Sequence, residues 1–168
     1  MGAAGQGAGR SERWMASPRT LVFVTHRGRV LLMRRGTHRR IFPNKYNGLG
    51  GHVERDEDVF TSAEREVREE SGLSVDALRL RGIHHIDAGA ESGILVFVFT
   101  ATARTDTVSV QSDEGVLEWV DLESFAALDL VDDVAEILPR ALGMADDAPP
   151  YFAHVSYDSE DRIVIRYA

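Results

Sequence analysis

The stretch "REVREESG", Arg65 to Gly72, sets Glu66, Glu69 and Glu70 within one turn of a helix-forming segment. At roughly 100° per residue, with Val59 as zero, Ala63 falls near 40° and Val67 near 80°, which marks a buried stripe. On the same wheel Glu66 falls at about -20°, Glu70 at about 20° and Glu69 at about -80°, so the acids do not lie on the far, solvated side. Pairs at i,i+4, Glu64 with Arg68 and Arg65 with Glu69, suit an exposed face and account for Glu64 and Glu69. They leave Glu66 and Glu70 pointing at the body, where an uncompensated carboxylate is costly. Clustered carboxylate oxygens are satisfied by a hard divalent cation, Mg²⁺ or Mn²⁺ rather than zinc, and the geometry favours such a site over a salt-bridged face.

The elements that must hold these groups follow from pattern. "TLVFVTHRGRVLLMRR" reads as a hairpin turning at Gly28, and "GTHRRIFPNKY" as a basic surface loop. "NGLGGHVE" demands tight backbone geometry. Asp58 to Ser71 reads as a helix stopped by Gly72, with Thr61 and Glu64 or Asp56 and Asp58 as competing start signals. Strands follow at Leu78 to Ile86, Ile94 to Ala103 and Val116 to Leu122, then a helix over Asp132 to Leu142 that Pro139 bends or shortens. "YFAHVSYDSEDRIVIRYA" closes the chain as a hairpin turning at Asp158 to Asp161. The fold class is α+β, a mixed sheet with a long mid-chain helix and a shorter late one. Residues 1–17 are expected to be a flexible tail, with Met15 an alternative start, 18–142 the domain, and 143–168 a linker and hairpin packed on it.

Composition limits the function classes. A chain of 168 residues, 43% hydrophobic and 27% charged, supports one ordered domain. With no cysteine there is no disulfide framework or thiolate metal site, which fits a reducing cytoplasm. A net charge of -8 argues against a general grip on nucleic acid, and phosphates would need a bridging cation. No apolar run is long enough for a membrane helix.

"GHVERDEDVFTSAEREVREESGL", Gly51 to Leu73, resembles the signature of the Nudix hydrolases: Gly51, Glu57, Arg65, Glu66, Val67, Glu69, Glu70, Gly72 and Leu73 all match. A chance match is on the order of one in ten million, which rules out coincidence. The resemblance, running from about Pro18 to Leu142, implies an α/β/α sandwich and metal-dependent hydrolysis of a nucleoside diphosphate linked to a group X. It implies that Glu66, Glu69 and Glu70, with the Gly50 carbonyl, hold Mg²⁺ (or Mn²⁺), with Arg65 and Glu57 orienting them. Glu70 or Glu114 would accept the proton of the attacking water. Shorter stretches, "KYNGLGGHV" and "EESGLSVDAL" among them, resemble the subgroup that hydrolyses oxidised purine nucleoside triphosphates to monophosphate and pyrophosphate.

In that subgroup the counterparts of Asn47, Asp132 and Asp133 bond the base and that of Glu114 is a further metal ligand, while a tryptophan two positions before the second acid is Val131 here. Read as residues alone, Asn47-Gly48 is also a tight-turn pair and the two aspartates also suit a helix cap. Arg35, with Arg34, is a candidate phosphate contact or a solvated strand end. His52, His84 and His85 read as packed or exposed, and Trp119 as core. A nucleotide-sugar or ADP-ribose pyrophosphatase is the alternative enzyme, and a non-catalytic nucleotide sensor a further one. Expected partners are a small nucleotide and at most a second copy of the chain.

Overall fold

The structure, a computed structural model, describes residues 14–110 and 112–168. The expected tail at residues 1–13 lies outside the described residues. Its remainder, Met15 to Ser17, is already strand.

The described residues form eight strands and two α-helices: β1 (Met15–His26), β2 (Arg29–Arg35), β3 (Tyr46–Asn47), α1 (Val59–Ser71), β4 (Val75–Ile86), β5 (Ser92–Ala103), β6 (Gly115–Asp121), α2 (Val134–Gly143), β7 (Tyr151–Tyr157) and β8 (Ile163–Tyr167). A short 3-10 turn, Phe125–Ala127, precedes α2. The strands form one mixed sheet in the order β3-β2-β1-β5-β4-β7-β8, with β6 also on β2. β1 runs parallel to β5 and β4 parallel to β7, and the other pairs are antiparallel.

The run "TLVFV" is buried on both faces, so it reads as continuous apolar sequence rather than an alternation. Val22 and Val24 face α1, joining Ala63, Val67, Leu73 and Phe99. Leu21 and Phe23 face α2, joining Val98, Val134, Ile137 and Leu138. These two cores make the three-layer sandwich.

Asp58 settles the start of α1: its Oδ1 accepts from Phe60 N at 2.8 Å and Thr61 N at 3.1 Å. Gly72, at φ 74°, ends the helix by donating to Arg68 O at 2.8 Å. α2 continues through Pro139, forgoing one backbone bond. β4 begins at Val75, earlier than the alternation implies, because register shifts after Asp76 and after Leu80 break its period. Among the described residues no helix is long and apolar enough to cross a membrane.

The closing hairpin extends the sheet rather than sitting on top of it. β7 pairs with β4 from Gly82↔Tyr151 to Ile86↔Val155, burying Ala153 and Val155 beside α2. Its seat contains His84, 0% exposed, whose Nε2 lies 3.1 Å from Tyr151 Oη while Nδ1 has no partner among the described residues. The Arg140 guanidinium stacks 3.6 Å from the Tyr167 ring centroid and 5.4 Å from that of Tyr151.

Burial pulls the His84 pKa down from 6.5 to about 4, with Glu136 opposing and Arg140 adding to the shift. Between these values the unfolded chain binds the proton and the folded one does not, so His84 costs no stability above pH 6.5 and costs progressively more as pH falls to about 4. His84→Gln removes that titration. The difference in unfolding free energy between wild type and His84→Gln should therefore change by roughly 3 kcal/mol between pH 7 and pH 4. Denaturant unfolding across that range checks it; a constant difference would show that His84 is readily protonated in the fold.

Candidate active site

The carboxylates stand where the last two turns of α1 meet the glycine-rich segment after β3. That segment runs along β1: Val22 N donates to Leu49 O at 2.7 Å, and Thr20 N to Gly51 O at 2.9 Å. Gly50 between them has φ 133°, and a Cβ there would lie 2.3 Å from Thr20 O, so only glycine fits. At Gly51 a Cβ would lie 2.5 Å from Glu66 Oε1, so the missing side chain makes room for the carboxylate.

Arg65 organises the cluster. Its Nε donates to Glu57 Oε2 at 3.0 Å and its Nη2 to Glu57 Oε1 at 2.7 Å, a two-pronged pair. Nη1 donates to Glu66 Oε1 at 3.0 Å and Glu69 Oε2 at 2.9 Å, and Nη2 reaches the His52 carbonyl at 3.1 Å. Arg65 bonding, reinforced by the Glu54 N–H, holds the Glu57 carboxyl down at about 2, and the Glu57 bonds raise Arg65 further above its ordinary value.

Glu70 is held differently. Its Oε2 accepts from Gly50 N at 3.0 Å, and burial, with repulsion from Glu66 and Glu114, pushes its pKa up to about 8 despite that bond. Burial likewise raises Glu66, against the pull of Arg65. Glu114, on the loop before β6, accepts from Arg39 Nη2 at 3.2 Å. Arg65 thus tethers Glu57, Glu66 and Glu69, while Gly50 N holds Glu70 and Arg39 holds Glu114, and among the described residues no three His, Cys, Asp or Glu side chains are gathered at ligating separation. Glu66 and Glu70, whose proton affinities burial and neighbouring carboxylates raise, offer oxygen donors chemically suited to a divalent cation.

A second group of expected residues lies across β3. Tyr46 N donates to Asp129 O and Val131 N to Tyr46 O, both at 2.9 Å, which brings the Asn47 backbone alongside the segment that starts α2. Asn47 ends β3 rather than entering a tight turn, and its Oδ1 accepts from the adjacent Gly48 N at 2.9 Å. Asp132 pairs with Lys45 Nζ at 2.5 Å. Asp133 stands at the N-cap of α2 without a side-chain capping bond, and burial raises its pKa. Val131 is buried in the α2 core, so its position offers no open platform of any kind.

Arg35 donates from Nε to Ile41 O at 3.0 Å, and its charge is felt at Glu70. Arg34 is engaged elsewhere, with Glu118 at 3.1 Å, as is Trp119, whose Nε1 donates to Asp106 O at 2.9 Å. Arg39 and Lys45 were not singled out by sequence, where only the basic character of their loop was visible, yet each holds a carboxylate of the site.

The family model described as NUDIX domain matches residues 15–141. An oxidized purine nucleoside triphosphate hydrolase of Danio rerio is 38% identical over 106 residues, 62% of this chain and 65% of that protein. The protein of the same name from Mus musculus is 33% identical over 149 residues, 86% of this chain and 89% of its own. Among solved structures, a mutator MutT protein from Bacillus halodurans superposes with a TM-score of 0.72 at 23% identity, covering 90% of this chain and 97% of that one. The NUDIX domain of Shewanella oneidensis NrtR, solved with ADP ribose, gives 0.65 at 17% identity, covering 85% and 98%.

Arg65→Ala should lower the melting temperature clearly, because it strands Glu57, whose side chain is only 9% exposed, and frees Glu66 to repel Glu70. Arg65→Lys, unable to reproduce the two-pronged contact, should recover only part of the loss. Arg68→Ala on the exposed face is the control. Thermal melts showing Arg65→Ala no worse than Arg68→Ala would remove Arg65 from its organising place.

Proposed function

The chain belongs to the Nudix hydrolase family, and from that premise we propose that it is a Mg²⁺-dependent pyrophosphohydrolase of nucleoside triphosphates, releasing nucleoside monophosphate and pyrophosphate, with oxidised purine nucleotides as its substrate class. The observation that carries the reading is Glu66 and Glu70 facing the Gly50–Gly51 backbone at the end of α1, with the charge of Glu114 close enough to act on both. The 33% identity to the mouse hydrolase over 86% of this chain supports the substrate class.

In this proposal Glu66, Glu69 and Glu70, with Glu114 and the Gly50 carbonyl, hold the cation. Bound there, Mg²⁺ would neutralise the charge of the phosphate chain and acidify a water molecule. Arg65 and Glu57 fix the carboxylates' orientation, as their bonds already do. Glu70 is assigned the proton of the attacking water, because burial gives it a proton affinity matched to neutral pH, whereas Arg39 occupies Glu114. Asn47, Asp132 and Asp133 receive the base. Burial raises the proton affinity of Asp133, against the backbone bonds of Asp133 and Val134. Arg35 reaches toward the phosphates. Val131 leaves this chain to hold a purine by hydrogen bonds at that position rather than by stacking. A cytoplasmic location and a monomer or homodimer belong to the same proposal.

With Mg²⁺, (d)NTPs should yield monophosphate and pyrophosphate, and EDTA should abolish turnover; chromatographic product analysis giving inorganic phosphate alone would sink the bond assignment. Glu70→Gln should lower kcat by about 10² or more. Because the base must be ionised, wild-type kcat/KM should fall toward low pH, a limb that Glu70→Gln removes. A panel of canonical, oxidised and sugar-linked nucleotides compared by kcat/KM tests the substrate class. Preference for a sugar-linked nucleotide would replace it.

A further inference from the structure

A cavity of about 370 Å³ opens at the other end of α2, walled by Thr25 and Arg27 from β1 and its turn, Arg79 and Arg81 from β4, and Thr100 and Thr102 from β5. It lies about 15 Å, the length of α2, from the Asp132–Asp133 end. In a chain of net charge -8 its lining carries three arginines against a single carboxylate, Asp146.

Arg81 is only 6% exposed. Its Nε donates to Thr100 Oγ1 at 2.7 Å and its Nη1 to Ala145 O at 2.8 Å, while Asp146 Oδ1 stands at 3.5 Å from Nη2. A guanidinium carries five N–H groups, so donors remain on both terminal nitrogens. Asp146 is a poor counter-charge: its side chain is 79% exposed, and it is shared with Arg79 at 3.3 Å. A buried cation with its partner in solvent is undercompensated.

The strand is also distorted to put these groups there. Two register shifts bracket the segment, one between Asp76 and Arg79 and one between Leu80 and Gly82, and Ala77, which lines the cavity, holds φ 51°. Bulges re-aim side chains, and non-glycine residues at positive φ mark places where the surroundings impose strain. Here they direct Arg79 and Arg81 into one cavity beside the hydroxyl of Thr100. Anchoring of the 144–148 linker through Ala145 O and Asp146 O uses one donor of each of these arginines and calls for no third. Arg27 nevertheless arrives from the β1–β2 turn, at φ 47°.

We propose that this cavity is a second, anion-binding site for a diphosphate group, distinct from the carboxylate site and free of any metal requirement. Guanidinium forks and threonine hydroxyls suit phosphate oxygens, and the spread of three arginines suits two phosphates better than one. The sources of such a group are inorganic pyrophosphate and a nucleoside diphosphate.

Calorimetric titration of the full chain in EDTA, where hydrolysis is silent, tests this with pyrophosphate and ADP as titrants and orthophosphate as the comparison. The expected result is saturable 1:1 binding of a diphosphate, tighter than orthophosphate, weakened about tenfold or more in Arg27→Ala/Arg79→Ala and unchanged in Glu70→Gln. Tighter binding of ADP would identify the nucleotide as the source, and equal or weaker binding the bare diphosphate. If the double variant melts early, Arg27→Ala alone, at an exposed turn, should still weaken binding about threefold or more. No saturable binding below about 10 mM, or binding lost in Glu70→Gln but kept in the arginine variants, overturns the site while leaving the hydrolase reading intact.

Discussion

One guanidinium orders the acidic end of α1. Arg65 reaches Glu57, Glu66, Glu69 and the His52 carbonyl at once, and so ties the helix, the loop before it and the glycine-rich segment into a single unit. Like charges at adjacent helical positions repel by a few tenths of a kcal/mol even when exposed, and by more when half-buried. The chain meets that cost with a rigid fork in place of a flexible ammonium, which fixes directions as well as charge. Glu57 serves the fork from outside the helix, its backbone-bonded carboxylate keeping Arg65 in register with two acids it could not otherwise align.

Glu70 lies beyond that fork. It is next to Glu69 in sequence, yet its partner is a backbone N–H and it is half-buried, so neighbouring carboxylates on one turn have opposite tasks. A buried acid with a raised proton affinity destabilises the fold wherever it must ionise. The two cores on either side of the sheet supply the rigidity that keeps such a group in place, while Gly50, at a φ of 133°, brings its N–H to Glu70 and Gly51 leaves room for Glu66.

Much of this was legible in the chain itself. The helical wheel placed Glu66 and Glu70 toward the body, the i,i+4 spacing gave the Arg65–Glu69 pair, and the Asp58 cap and Gly72 stop carry their own chemistry. The strands were legible where one face is buried or the run is wholly apolar. Bulged β4 was not, because a register shift erases the period on which such reading depends. The tethers of Arg39 and Lys45 were hidden as well: both sit on one loop, and their partners lie far along the chain, at Glu114 and Asp132. Nor does alternation within the closing hairpin reveal that its outer neighbour is β4, since pairing partners are a property of the sheet rather than of the strand.

That parallel pairing of β7 with β4, like that of β1 with β5, joins residues roughly 70 to 80 positions apart. Loop closure over such distances is slow to be rewarded, so the sheet's long-range order is gained late in folding. During synthesis the β4 edge and the ring of His84 have no cover until Tyr151 to Val155 have left the ribosome, by which time α1 and its carboxylates are long since made. The carboxylate helix is therefore translated well before the strand that covers the β4 edge, and the interval between is when that edge is most exposed to mispairing with other strands.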